Sequence, residues 1–203
     1  VHPAHHRDFP DVFTDEKQAN GLDGKNGLPD VLDEAIWGLD WLVKMHPQPN
    51  VMFNQIADDR DHTEMRLPGQ DSVYGRGHER PVYFIDGNPQ QRGKFLNNTT
   101  GTSSTAAKFV SAFGLGHQLL KEQNADYANL LKQKAGTAYQ YAYIKPGVTQ
   151  TVSVKSPYIY AEDNWVDDMQ LAAAMGFSVT KKNKFAEAAL IWRLRSLIIP
   201  TRS

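Results

Sequence analysis

Two short stretches concentrate the side chains that can move protons, hold sugars or hold metal ions. The first is Asn54-Gln55-Ile56-Ala57-Asp58-Asp59-Arg60-Asp61-His62, where three carboxylates, an arginine and a histidine follow the apolar pair Met52-Phe53. Such a set can do acid–base work, bind a metal or hydrogen-bond a sugar. It can equally be a solvated acidic turn in which Arg60 pairs with a neighbouring aspartate. The second is Tyr158-Ile159-Tyr160-Ala161-Glu162-Asp163-Asn164-Trp165-Val166-Asp167-Asp168, with four carboxylates and three aromatics. Oxygen ligands at that density suit Ca²⁺, which takes six to eight of them at about 2.3–2.6 Å, and flat aromatic faces suit pyranose rings. The same residues also read as acidic charge that complements a helix dipole, with aromatics that belong to the core.

The other polar residues point less sharply to chemistry. His2, His5 and His6 lie at a terminus and read as disordered or tag-like. His46 falls at a predicted helix C-terminus, where positive charge is favoured, and His117 lies inside a predicted helix as a hydrogen-bonded structural residue. Gly75-Arg76-Gly77-His78 is not followed by a helical pattern, so it is no phosphate loop. Thr99-Thr100 and Ser103-Ser104 read as helix-start residues, with no histidine and aspartate placed to complete a hydrolase triad.

The elements that must position these clusters are helical. The first predicted helix spans residues 29–45, opened by Pro29 and by Asp30, Asp33 and Glu34, with Leu32, Ile36, Leu39 and Val43 as its apolar stripe. The second spans 103–120, with Ala106, Phe109, Val110, Phe113 and Leu120 on its face. The third spans 126–143, with Tyr127, Leu130, Leu131, Ala138 and Ala142 on one side, stopped by Lys145-Pro146-Gly147. The fourth spans 164–177 around Ala172-Ala173-Ala174, with Gly176 near its end, and the fifth runs from an N-cap at Asn183 to about residue 199. Residues 46–102 form a long Pro- and Gly-rich connection, in which 82–85 reads as a short strand; 148–154 is the other strand candidate. A connection of that length is usually functional. The fold class is therefore all-α, one domain over residues 1–203, with long loops grouped at one end of helix pairs and one short β hairpin.

Bulk properties exclude several classes. The chain has 203 residues, a formal net charge of -1 and a sequence pI of about 6.7, which offers nothing to nucleic acid or an anionic membrane. No apolar run is long enough for a transmembrane helix, and residues 1–10 carry no signal-peptide core. There are no cysteines, so disulfides, thiol nucleophiles and cysteine-ligated zinc are out.

Asn26-Gly27-Leu28-Pro29-Asp30-Val31-Leu32-Asp33-Glu34-Ala35, continuing to Met45, resembles the helix-opening signature of family 9 glycoside hydrolases. Asp58-Asp59-Arg60-Asp61-His62, Arg80-Pro81-Val82-Tyr83-Phe84, Thr102-Ser103-Ser104-Thr105-Ala106-Ala107-Lys108-Phe109 and Glu162-Asp163-Asn164-Trp165-Val166-Asp167-Asp168-Met169-Gln170-Leu171-Ala172-Ala173-Ala174 are similar to that family in order and spacing over residues 20–190. The resemblance implies an (α/α)₆ barrel, of which about five of twelve helices would be present, and hydrolysis of β-1,4-glucan with inversion. In that chemistry an acid and a base stand about 6.5–9.5 Å apart with a water between them.

Carried over by position, the resemblance implies substrate contact by His62, oriented by Asp61, and by Tyr158 or Tyr160. It implies a Ca²⁺ site at Asp163, Asn164, Asp167 and Asp168, with no other cofactor required. The family's Trp-x-Asp-Ala-Gly-Asp-like base motif does not occur in residues 1–45, and its acid lies beyond the length of this chain; Asp58, Asp59, Asp61 and Glu162 are the carboxylates left as candidates. The tail, 191–203, is apolar and basic where the family continues with a polar loop, which leads to the expectation of a truncated or frame-shifted product or a cloned fragment. Secretion or a periplasmic location follows from the resemblance. The expected partners are β-glucan oligosaccharide or polysaccharide, not nucleic acid or membrane, and a second copy of the chain covering exposed half-barrel faces. The competing reading is a catalytically silent glucan-binding or oligomerising remnant.

Overall fold

The computed structural model describes residues 12–56, 67–70, 82–92, 95–151 and 162–196. Five helices carry it: α1 (Asp30–Met45), α2 (Ser103–Leu120), α3 (Ala125–Ala142), α4 (Val166–Thr180) and α5 (Asn183–Ser196). The strands are β1 (Phe53–Ile56), β2 (Val82–Phe84), β3 (Gln91–Arg92) and β4 (Phe95–Leu96), with a 3₁₀ turn at Pro68–Gln70. They form two antiparallel ribbons, β1–β2 and β3–β4, where the sequence suggested one hairpin. Residues 148–151 form no strand; Val148 instead accepts hydrogen bonds from Thr100 and Gly101.

α2 is the centre of the helical layer and packs on α1, α3 and α4. Its sequence explains this. Ala106, Ala107, Val110, Phe113, Gly114, Gly116, Leu119 and Leu120 are apolar or small on more than one face, and all are buried. α3 contributes Ala128, Leu131, Ala135, Ala138 and Ala142; Leu130 lies off that stripe and is exposed, contrary to the sequence reading. α4 adds Met169, Ala172 and Ala173. It runs past residue 177, where the sequence pattern ended it, to Thr180, and Gly176 packs on the Phe185 ring, where a Cβ would stand 2.7 Å from Cδ1. Lys181 ends it in the left-handed region (φ 57°), its N–H bonded to the Phe177 carbonyl.

Successive helices run up and down. Thr102 and Ser103, at the start of α2, bond the carbonyls of Tyr141 and Ala142 at the end of α3. Trp192, late in α5, donates to the Tyr143 hydroxyl and stacks edge-on against Trp165, just before α4. One end of the layer therefore gathers the start of α2, the end of α3, the start of α4 and the end of α5, together with the segments 97–102 and 143–151.

His46 closes α1. It is fully buried, with Nδ1 2.9 Å from the Val51 carbonyl and Nε2 2.8 Å from the Thr137 hydroxyl. Since Nδ1 faces a carbonyl it carries the proton, and Nε2 lies beside the Thr137 hydroxyl, which also reaches the Lys134 carbonyl (3.1 Å). Burial first of all, aided by the nearby Lys134 charge, holds its pKa below the usual imidazole range. His46 is a neutral core residue, not the dipole-stabilised cation the sequence suggested. His117 is structural as expected, with Nδ1 2.9 Å from the Ala128 carbonyl.

Candidate functional site

The site end is built on the N-terminus of α2. This helix has no side-chain cap. Its first N–H groups are taken instead by a returning segment: Thr102 N–H donates to the Lys145 carbonyl (2.7 Å), and Ser103 N–H to that of Gly147 (3.0 Å). The buried hydroxyls complete the joint, because Ser103 Oγ accepts from Gly147 N–H and Ser104 Oγ from Thr149 N–H. Gly101 and Gly147 make this approach possible. A Cβ on Gly101 would lie 2.4 Å from the Gly147 Cα, and Gly147 itself sits at φ 152°.

Gln150 extends the joint into the two candidate clusters. Its backbone N–H donates to Thr99 Oγ1 (3.0 Å), its Oε1 accepts from Asn98 N–H (2.9 Å), and its Nε2 donates to the Glu162 carbonyl (3.0 Å). Its own carbonyl accepts from Asn97 Nδ2 (3.1 Å) and, at 3.5 Å, from Asn54 Nδ2. Asn54 reaches inward because β1 is irregular there. Phe53 pairs with Phe84 and Gln55 with Tyr83, so Asn54 is the extra residue of a bulge. Its Oδ1 is buried without a partner among the described residues. The residue that leads into the first cluster and the residue that opens the described part of the second thus meet on one buried glutamine.

At the second cluster, Lys108 of α2 dominates the electrostatics. Its ammonium is ion-paired to Glu162 Oε1 and stands 3.3 Å from Asp168 Oδ2. One cation serves an excess of carboxylates. Despite partial burial, Lys108 is held above its ordinary pKa by Glu162 and Asp168. Burial, with Glu162 and Asp167 acting against the pull of Lys108, pushes Asp168 up to about 6. Asn164 Oδ1 accepts from Val166 N–H (3.1 Å) and so starts α4. Asp163 and Asp167 are exposed. Among the described residues no group of three or more His, Cys, Asp or Glu side chains converges as a metal cage would. Trp165 belongs to the core, with its ring centroid 5.3 Å from that of Trp192. Asp58, Asp59, Asp61, His62, Tyr158 and Tyr160 lie outside the described residues.

Sequence reasoning missed Lys108, Gln150 and Asn97. Lys108 is a lone cation in a stretch of small and apolar residues, which is a usable signal. Its partners, however, are set by the packing of α2 on α4, which no local pattern reveals.

Comparison with known proteins places this geometry in a family. The model of glycosyl hydrolase family 9 matches residues 5–194, and the chain belongs to that family. Among curated relatives, it is 28% identical to Endoglucanase 14 of Arabidopsis thaliana over 138 residues, covering 68% of this chain and 25% of that protein. It is 26% identical to Endoglucanase 1 of Oryza sativa subsp. japonica over 162 residues, covering 79% and 23%. An endoglucanase from the termite Nasutitermes takasagoensis superposes with a TM-score of 0.65 at 19% identity, over 86% of this chain and 37% of that one. The cellulase Cel9M of C. cellulolyticum in complex with cellobiose does so at 0.58 and 17% identity, over 80% and 33%. The five helices are part of an (α/α)₆ barrel. The chain spans about a quarter of the length of these curated relatives.

Proposed function

We propose that this chain forms one wall of a β-1,4-glucan cleft in an extracellular endoglucanase-type domain, and that by itself it binds glucan without turning it over. Membership of the family over residues 5–194 carries the substrate class. The meeting of Asn54 and Glu162 on Gln150 supports a shared cleft, since it draws together the bases of the two clusters assigned to sugar contact. In this reading His62, Asp61, Tyr158 and Tyr160 touch the sugar. Inverting hydrolysis needs a second carboxylate about 6.5–9.5 Å from the first, with a water between. Glu162 already holds the Lys108 ammonium on one oxygen, which suits anchoring better than proton transfer.

Calorimetric titration with a cello-oligosaccharide and a reducing-sugar assay on soluble cellulose test the proposal. Binding that weakens about tenfold in His62→Ala, with no sugar release, is expected. Absence of binding sinks the proposal. Turnover that survives purification and disappears in one of Asp58→Ala, Asp59→Ala, Asp61→Ala or Glu162→Ala would establish the enzyme reading instead.

A second reading, association of the chain with its own copies, is favoured by α5. That helix buries Trp192 and turns Leu190, Ile191 and Leu194 to solvent, at 63%, 51% and 61% exposure. An apolar outer face of this kind drives association.

A further inference from the structure

The four residues that the family resemblance assigns to calcium do not fit a calcium site here. Asp168 faces the Lys108 ammonium at 3.3 Å, and the oxygen of Asn164 is engaged by Val166 N–H. Asp163 and Asp167 are exposed, and no metal-holding group of three or more acidic or imidazole side chains forms among the described residues. A divalent ion entering beside Asp168 would meet a fixed positive charge instead of a vacant oxygen cage.

We infer that Lys108 is a covalently tethered substitute for a divalent cation, which pins the start of α4 and the Glu162 segment onto α2 without metal. Three observations carry this. First, the ammonium bridges two separate parts of the chain, Glu162 before α4 and Asp168 within its first turn. That is the cross-linking a bound ion performs in a loop. Second, the carboxylate side of the bridge is partly withdrawn from water: the side chains of Glu162 and Asp168 are 27% and 15% exposed, against 51% for Lys108, so solvent screens it less than a fully open surface pair. Third, the bridged segment is fixed from its other side by Gln150, which holds the Glu162 carbonyl. Lys108 therefore closes a bracket whose opposite arm is already rigid. The inference stands whether or not the chain hydrolyses glucan.

Thermal unfolding of the purified chain in EDTA, in about 1–5 mM CaCl₂ and in NaCl of equal ionic strength tests it. That calcium range reaches and passes the ~10⁻⁴–10⁻³ M affinities of weak extracellular calcium modules. The unmodified chain is expected to unfold at one midpoint in all three. Lys108→Gln is expected to unfold about 3–6 °C lower in EDTA and to recover at least half of that loss in CaCl₂ but not in NaCl. A calcium-dependent rise in the unmodified chain overturns the inference. So does a Lys108→Gln chain as stable as the original, or one that recovers in NaCl as well as in CaCl₂, or in neither. If Lys108→Gln does not fold, Lys108→Arg and direct titration decide. Lys108→Arg keeps the charge and should fold with a calcium-insensitive midpoint. The unmodified chain should give no binding heat with CaCl₂, and saturable heat overturns the inference.

Discussion

His46 ends α1 at a position where the helix dipole favours a cation, yet its surroundings select the neutral ring. Both nitrogens are engaged within the protein, and the side chain is fully buried. Because its folded pKa lies below the usual 6.5, the unfolded chain binds the extra proton more readily. The stabilisation is complete above pH 6.5 and is lost as pH falls below it. The unfolding midpoint should therefore drop between pH 7.5 and 5.5, and a His46→Gln variant should show a shallower drop over the same window by urea titration at each pH. A pH dependence identical in the two proteins would contradict the neutral-ring assignment. Gln150 makes a second residue-scale case. Replacing it by alanine strands the Asn98 N–H and the Glu162 carbonyl at a partly buried joint, and should cost about 1–2 kcal/mol in chemical unfolding. A loss below ~0.5 kcal/mol would show that water replaces it.

At the scale of elements, the glycines separate packing from propensity. Gly136 lies on the exposed side of α3, where an added methyl would find nothing within 4 Å. Gly136→Ala should therefore raise stability by up to ~1 kcal/mol. Gly101→Ala would drive a methyl into the Gly147 backbone and should cost about 3 kcal/mol or more, or prevent folding. Equilibrium unfolding of the pair measures the contrast, and equal effects would refute it. The helices were most legible where an apolar stripe comes with a marked end: Pro29 before α1, and Lys145-Pro146-Gly147 after α3. The end of α4 was misjudged because Gly176 looks like a terminator in sequence and serves as a contact for Phe185 in space. Asn183 is the first residue of α5, and the Lys182 carbonyl before it accepts from Phe185 N–H, a shift of one position. Pairing across distance was not legible. Nothing near Val148 announces that its carbonyl faces Thr100 and Gly101 rather than a neighbouring strand.

For the whole molecule, the balance between inward and outward apolar surface is the main physical fact. Trp37 (71% exposed) on α1, Leu171 (58%) on α4 and the outer face of α5 present large side chains to water. An open groove of about 420 Å³ between α1 and α2 is lined by Leu39, Trp41, Leu42 and Leu115. Surfaces of this kind favour association. Light scattering at micromolar concentration should report a dimer or larger species that shifts toward monomer in Leu190→Glu/Leu194→Glu. A monodisperse monomer of the unmodified chain would rule this out. The candidate site was legible as two acidic–aromatic stretches, while its organisation was not. Gln150, the residue that joins them, sits in an ordinary Thr149-Gln150-Thr151 run whose importance comes only from burial.

The return of residues 145–150 across the start of α2 also sets how the chain opens. The amides of 100–104 do not point to solvent or along a free helix end; they donate to carbonyls contributed by Lys145, Gly147 and Val148. Exposing them requires residues 145–148, which continue from the end of α3, to lift off the start of α2, so fraying of this terminus by itself is blocked. In hydrogen–deuterium exchange these amides, with those of Thr149 and Gln150, should be among the slowest and should share one opening free energy with the middle of α3. A helix terminus that in most proteins exchanges first is, in this one, where global unfolding is read.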